Sequence, residues 1–553
     1  MITTRNLLAS LLLASCLVLL AACSPTADTP DQADTPADDE SGDDGATERL
    51  ERLRLAGGDY GPPTPFAYVR GPGLIQTGLM FDTLLWMNPD GETIPWLAED
   101  WESNEDGTEW TFTLREDVEW HDGEPLTVDD VVFSFDYLTA GPPGISTRDL
   151  DIVDEVVAEG DREVVFRLSE PYAGFEDNVA GLWGMFVLPE HIWADVEDPQ
   201  RYLEEDAFVG SGPYELVEFD ASAGSYLYEA NDDFFLGEPH VQRLEFLPEI
   251  EDELLALERG ELHAAGVSRE PLPDEQFESF ASQFGLVEAS GEWNHALHFN
   301  LDAGFPYDEV DFRHAVAYAI DRQDMVDRLL FGRGAPGSTG AMAPDHPFTP
   351  DDLPAYEHDL ERAGELLDGL GIEDADGDGV RELPDGEAFQ IDLKSSQRFG
   401  ARDPQLVAEY LGEAGLDTQV TMLDRASADE AGHEGNYTMM LHGYGGLGSD
   451  VDRLRTRFHS EAESSGQSTV HGYADERFDE LAEQQRGIVD EQERREVVAE
   501  MMHILAEDLP LLSLYVPDRL TFYDESVFDA WAYTPTCTPC GATKNKYTFV
   551  TGE

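Results

Sequence analysis

Two stretches of this chain carry residue types that could do chemistry. Asp374-Ala375-Asp376-Gly377-Asp378-Gly379-Val380 sets carboxylates at positions 1, 3 and 5 with glycine at 6, and Asp385 falls at position 12. Calcium takes six to eight oxygens, and this spacing, with the Val380 carbonyl as a backbone ligand, can supply them. Arg381 at position 8 and an Asp rather than a Glu at 12 depart from the calcium-loop pattern, and the same residues also suit an Asx-Gly turn between helix and strand. Near the C-terminus, Cys537-Thr538-Pro539-Cys540 has the Cys-x-x-Cys spacing of redox and zinc sites. Zinc would need two more ligands, and no suitably spaced Cys or His pair accompanies it. In an exported chain a small local disulfide between Cys537 and Cys540 is the expectation. No Gly-x-Ser-x-Gly elbow, phosphate loop, His-Glu-x-x-His or dinucleotide fingerprint occurs. Paired carboxylates mean nothing among 117 acids. The chain therefore reads as a binding protein and not as an enzyme.

Those acids stand against 33 bases, a net charge of −84 spread along the whole chain, with lysine only at 394, 544 and 546. Phosphate binding needs a basic footprint, so no nucleic-acid partner is expected. Uniform acidity suits a surface exposed to high salt, where the Debye length falls to ~3 Å at 1 M and self-repulsion is screened. It speaks of habitat more than of ligand.

The N-terminus predicts export. Arg5 precedes an apolar run, Leu7 to Leu20, that ends in Leu20-Ala21-Ala22-Cys23. The run is about 14 residues, short of the ~20 that span a bilayer permanently. Residues 1–22 read as a signal peptide, and the Leu-Ala-Ala-Cys end resembles the bacterial lipobox, in which the cysteine, here Cys23, receives a diacylglycerol. Residues 24–48 hold mainly Asp, Glu, Pro, Thr, Gly and Ala. They cannot bury enough apolar surface to offset ordering entropy, so 23–48 is expected to be a lipidated, disordered acidic tether reaching roughly 25–30 Å. The expected location is the outer face of the cell membrane, with contact to the bilayer through the lipid alone.

The elements that would position a site begin in the segment 95–138. Trp110, Phe112 and Leu114 alternate with polar residues as a strand does. Asn104-Glu105-Asp106-Gly107 before them is turn chemistry, so a hairpin is expected between Trp101 and Trp110. Thr127 followed by Asp129-Asp130 predicts a helix N-cap, with Val131, Val132, Phe135 and Leu138 as the apolar face. Further amphipathic helices are predicted over 357–370 and 491–509. Strand-like and helix-like segments alternate throughout, which predicts α/β lobes.

Leu97-Ala98-Glu99-Asp100-Trp101, Trp110 to Arg115, and Trp120-His121-Asp122-Gly123 through Leu126 to Val131 together resemble the signature of solute-binding protein family 5, the large extracytoplasmic receptors of dipeptide, oligopeptide and nickel importers. The resemblance continues in Gly210-Ser211-Gly212-Pro213-Tyr214, Asn231 to Pro239, Ala256 to Leu262, Phe312 to Arg322 and Leu509 to Tyr515. It covers roughly residues 53 to 535 and implies a two-lobed fold of the periplasmic-binding-protein type (class II-like), with an extra subdomain in the first lobe. Lobe I is expected over 49–290 and 512–553, and lobe II over 291–511, with crossovers near Glu288–Trp293 and Leu512–Val516.

The resemblance also implies a function and a site. The expected function is capture of a small solute, with a peptide the first expectation, by a monomeric receptor that closes over it and docks on ABC permease subunits. An oligosaccharide or nickel receptor is the alternative within the family, and a secreted hydrolase the alternative outside it. An α-ammonium buried in a closed cleft needs a carboxylate. Family peptide receptors place an Asp after a Gly-Trp or similar pair. The matching stretch, Leu441 to Asp450, offers Asp450 for the ammonium and Tyr444 as an apolar wall, although the proline usual after that Asp is missing. Trp293 near the hinge and Tyr68 before the first helix are further candidate cleft residues, and Arg398 or Arg402 could take a ligand carboxylate. His295, His298 and His442 could ligate a metal, but a lone histidine is more often satisfied by packing or hydrogen bonds. No cofactor is expected beyond the candidate calcium ion.

Overall fold

The computed structural model describes residues 49–550 except 69, 142–149, 221, 268–270, 292, 398–399, 445–450, 462–469 and 536–540. The signal peptide, Cys23, the tether, Cys537, Cys540 and Asp450 all lie outside the described residues.

The predicted hairpin forms as its alternation requires. Trp110, Phe112 and Leu114 are buried in the strand Glu109–Leu114, which pairs antiparallel with Ala98–Ser103. Asn104 closes the turn by accepting the N–H groups of Thr108 and Glu109 on its side-chain oxygen, and Gly107 supplies the positive φ of 67°. The helix Val128–Ala140 starts at Thr127, whose N–H donates to Asp130 Oδ2 at 2.8 Å. Val131, Phe135 and Leu138 are buried as expected; Val128 and Ser134 join them, while Val132 is half-buried.

Among the described residues lobe I holds a two-stranded sheet, Leu85–Met87 with Thr93–Pro95, and three larger ones. Leu53–Ala56, Arg243–Leu247, Ser225–Ala230 and Tyr214–Asp220 form one, with its first pair parallel and the rest antiparallel. Ala98–Ser103, Glu109–Leu114, Glu163–Leu168 and Val153–Glu159 form an antiparallel sheet of their own, the extra subdomain. In the third, Arg519–Tyr523 lies between Ala264–Val267 and Gly285–Ala289. Lobe II is built on one six-stranded sheet ordered Gly334–Pro336, Leu511–Pro517, Asn294–Phe299, Met439–Tyr444, Gln390–Ser396 and Asp417–Leu423. The predicted helices appear as Leu360–Gly369 and Glu491–Asp508. The cores segregate. Lobe I packs around Leu53, Phe112, Phe166 and Phe549. Lobe II packs around Leu297, Phe312, Ile391 and Leu512 on one side, and Leu454, Phe478, Met501 and Met502 on the other.

One boundary needs correction. Leu511–Pro517 hydrogen-bonds to Asn294–Phe299 within the lobe II sheet, so lobe I resumes at Asp518 and not at 512. A strand buried along almost its whole length reads as a continuous apolar run, and such a run does not say which sheet it joins.

Both ends of the described chain finish in lobe I. Leu50 N–H donates to His240 O at 3.1 Å, and His240 N–H donates to Phe549 O at 2.9 Å. Between these ends Lys546 is 1% exposed and Asp82 fully buried, with Nζ and Oδ1 2.5 Å apart. The ammonium lies 4.0 Å from the Trp86 ring centre and 4.8 Å from that of Trp96. Asp82 also accepts from Trp96 Nε1 at 2.7 Å and Ser211 Oγ at 2.8 Å.

Candidate functional site

Two crossings join the lobes. Gly285–Ala289 of lobe I leads through residues 290–293 into Asn294–Phe299 of lobe II, and Leu511–Pro517 returns through Asp518 into Arg519–Tyr523. They approach closely between the paired strands: a Cβ on Gly291 would sit 1.8 Å from the Pro517 carbonyl oxygen, so only glycine fits. A cleft bounded by two lobes and floored by their crossings is where a two-lobed binding protein takes its ligand.

On the lobe II side, the first residues past the crossing are tied down. Ser513 Oγ donates to Asn294 Oδ1 at 2.7 Å. His295 Nδ1 lies 2.8 Å from Tyr515 Oη and 3.2 Å from Asp403 Oδ2, and the Tyr515 hydroxyl also donates to Asp403. Burial, and then the Asp403 carboxylate, push the Tyr515 phenol well above its ordinary range, so it stays a donor. Trp293 is half-buried within the crossing itself. Tyr444 is opposite Asn294 in the strand register, which puts its backbone at the crossing end of the sheet. Of the candidate arginines, Arg398 is outside the described residues, and Arg402 donates to the Arg328 carbonyl at 2.9 Å.

On the lobe I side, Tyr68 is half-buried and packs against the lobe core. A Cβ on Gly73 would meet both the Tyr60 carbonyl, at 2.4 Å, and Tyr68 Cβ, at 3.2 Å, so the two tyrosines are neighbours. Tyr60 stacks on Tyr226 at 6.2 Å and faces Lys544 Nζ at 5.1 Å. Arg519, the first residue of the returning strand, lies over the Tyr533 ring at 4.4 Å. Sequence patterning points to none of Tyr60, Arg519, Tyr533, Lys544 or Asp403, and to His295 only as a metal ligand. The available signals were the Gly57-Gly58 pair before Tyr60 and the rarity of lysine.

The lobes also touch through Arg333 and through Arg486. Arg333 of lobe II donates to Asp274 Oδ1 at 2.9 Å and to the Leu272 carbonyl, and lies 4.3 Å from the Phe277 ring centre in lobe I. Asp518 N–H donates to the Arg333 carbonyl, so this bridge belongs to the crossing. At the subdomain, Arg486 Nη1 pairs with Glu170 Oε1 at 2.8 Å, and its carbonyl accepts from Ala173 N–H at 2.7 Å.

The Asp-rich loop brings oxygens of Asp374, Asp376 and Asp378 within 4.8 Å of one another, all exposed. Each also accepts backbone N–H groups: Asp374 from Gly377 and Gly379, Asp376 from Asp378, and Asp378 from Val380. Asp385 caps a separate turn by accepting from Glu387 N–H, and the carboxylate that reaches back into the loop is Glu382, to Ala375 N–H at 2.8 Å. The three proposed histidine ligands divide: His295 is bound as above, while His298 and His442 meet in lobe II with ring centres 6.2 Å apart.

Comparison with known proteins agrees with this fold. The oligopeptide-binding protein AppA of Bacillus subtilis is 27% identical over 463 residues, covering 79% of this chain and 81% of that protein. The dipeptide-binding protein of Escherichia coli is 24% identical over 452 residues, covering 76% and 80%. The structure of AppA in complex with a nonapeptide superposes with a TM-score of 0.72 at 22% identity, over 90% of this chain and 99% of that one. NikA of Brucella suis in complex with Fe(III)-EDTA superposes with a TM-score of 0.76 at 21% identity, over 89% and 99%. The family model for bacterial extracellular solute-binding proteins, family 5 (Middle), matches residues 92–466, and the chain belongs to that family of extracytoplasmic, substrate-binding transport proteins.

Proposed function

We propose that this protein is a monomeric peptide receptor, tethered to the outer face of the cell membrane through a lipid on Cys23, that delivers its ligand to the permease subunits of an ABC importer and catalyses no reaction of its own. The observation that carries the reading is the pair of crossings meeting at Gly291 and Pro517, a hinge about which two separately cored lobes can close on a solute. Relatives named for oligopeptides and dipeptides support peptide as the ligand class. Asp450 remains the proposed partner of the ligand ammonium, with Tyr444, Trp293 and Tyr68 as apolar walls.

The test is thermal unfolding of the purified protein in high salt against di- and oligopeptides, oligosaccharides and Ni²⁺. A ligand at 100 times its Kd adds about 2.7 kcal/mol of stability, a readable shift in Tm. Stabilisation by peptides that disappears in Asp450→Ala supports both ligand class and site. Stabilisation by sugar or nickel alone keeps the receptor and removes Asp450 from its role. Replacing Cys23 with Ser, followed by membrane fractionation, tests the anchor: the expected result is loss of the protein from the membrane fraction.

A further inference from the structure

Both lobes are acidic. Residues 49–290 and 518–553 carry 60 acids against 15 bases, and residues 291–517 carry 48 against 17, net charges of −45 and −31. Like charges repel, so each lobe pushes on the other about the crossings that join them. At the return crossing the opposition is local. Asp518 is half-buried there, and its carboxyl is held above the usual range by burial, then by Glu288 of lobe I and Asp345 of lobe II, with Arg333 pulling the other way.

What draws the lobes together is of shorter range. Among the described residues two ion pairs join them, and both have the same build. Each lays an arginine of lobe II over a lobe I ring and pairs it with a lobe I carboxylate. Arg333 takes Phe277 at 4.3 Å and Asp274 at 2.9 Å; Arg486 takes Tyr172 at 5.5 Å and Glu170 at 2.8 Å. Backbone joins in at both: the Leu272 carbonyl accepts from Arg333, and the Arg486 carbonyl accepts from Ala173 N–H at 2.7 Å. Beside Arg486, Val489 packs so near Gly107 that a Cβ there would lie 2.7 Å from its Cγ2.

These two sets of forces answer differently to salt. Repulsion between whole lobes acts through solvent and is cut off at the Debye length, about 10 Å at 0.1 M and ~3 Å at 1 M. The seams act at contact distance, and their arginine side chains are only 15% and 20% exposed, so screening reaches them far less. Ring and apolar contacts hardly depend on it.

We propose that ionic strength sets lobe closure in this protein: in dilute salt the two acidic lobes swing apart, and in concentrated salt the Arg333 and Arg486 seams hold them shut. The effector is any simple salt, acting by screening. The device works whatever solute fills the cleft, so it stands or falls apart from the peptide reading. The test is small-angle X-ray scattering of the purified, ligand-free protein, extrapolated to infinite dilution, in NaCl and in KCl from 0.1 to 1 M. Trimethylamine N-oxide is present throughout to favour the folded state, and circular dichroism is read on every sample. The expected result is a native spectrum at each point and a radius of gyration about 1 Å larger at 0.1 M than at 1 M, on a closed value of roughly 23 Å. The two salts should trace one curve. Arg486→Gln should keep the salt dependence and stay more open than the wild type at 1 M. A radius that ignores salt overturns the proposal. Contraction with one cation and not the other overturns it in favour of a bound ion. Loss of the native spectrum at 0.1 M before the radius grows overturns it too, since repulsion then breaks the lobes instead of parting them. A wild-type radius for Arg486→Gln at 1 M removes the part given to that seam.

Discussion

Two buried ionisable groups, one in each lobe, are kept there by opposite means. Lobe I keeps a charge inside by pairing it: Lys546 and Asp82 meet between Trp86 and Trp96, and Ser211 and Trp96 satisfy the remaining carboxylate lone pairs. Lobe II keeps His298, 3% exposed, by leaving it uncharged. Burial lowers its pKa well below the ordinary value, and His442, Arg457 and His471 around it lower it further. A paired charge is vulnerable to losing its partner and indifferent to mild acid. A neutral histidine tolerates its neighbours and is vulnerable to a proton. The two sites should therefore fail under different insults.

The largest effect is expected at the pair. Lys546→Met leaves Asp82 buried without a cation and should cost about 3–5 kcal/mol. Adding Asp82→Leu to the same chain should recover most of that loss in chemical denaturation. A cost below about 1 kcal/mol for the single variant would mean that the pair is not what holds the C-terminal segment. Acid comes next. The folded pKa of His298 is depressed, so its contribution is intact above about 6.5, the unfolded value, and is lost as pH falls below it, by up to about 1.4 kcal/mol per pH unit. Hydrogen exchange at pH 7 and pH 5 should show lobe II amides losing protection first, and His298→Asn should flatten that difference.

A smaller effect is expected where the lobes touch at the subdomain. The Arg486–Glu170 pair is partly exposed, so Arg486→Ala should cost about 0.5–1 kcal/mol and speed ligand release roughly two- to fivefold in stopped-flow measurements. Solution scattering of the ligand-free variant should show a more open molecule. Smallest is Asp374→Ala, which removes the acceptor of two loop N–H groups at an exposed site and should lower stability by about 1 kcal/mol or less. Repeating that melt with calcium and with chelator distinguishes a carboxylate that only shapes its turn from one that also holds an ion.

Local chemistry was legible in the sequence, and long-range pairing was not. The hairpin at Trp101 and Trp110, the helix started by Thr127 and the helix 491–508 each follow from residues within a few positions of one another. The Gly210-Ser211-Gly212 motif was visible too, but its cause was not: a Cβ on Gly210 would meet the Met80 carbonyl at 1.9 Å, and Ser211 serves Asp82 from 129 residues away. Lys546 finds Asp82 across 464 residues, and no periodicity announces such a meeting. The resemblance pointed to Trp293 and Tyr444, whose backbones lie at the crossing end of the lobe II sheet, while the contact of Lys544 with Tyr60 joins residues that no local pattern links.

That closing of the ends at His240 has a mechanical consequence. A pull applied at residue 49 runs through Leu50 to His240 and on to Phe549, and never enters lobe II. Lobe II hangs from the rest of the molecule by its two crossings, outside the load path, so tension on the N-terminal end should leave the hinge as easy to swing as in the unstrained protein.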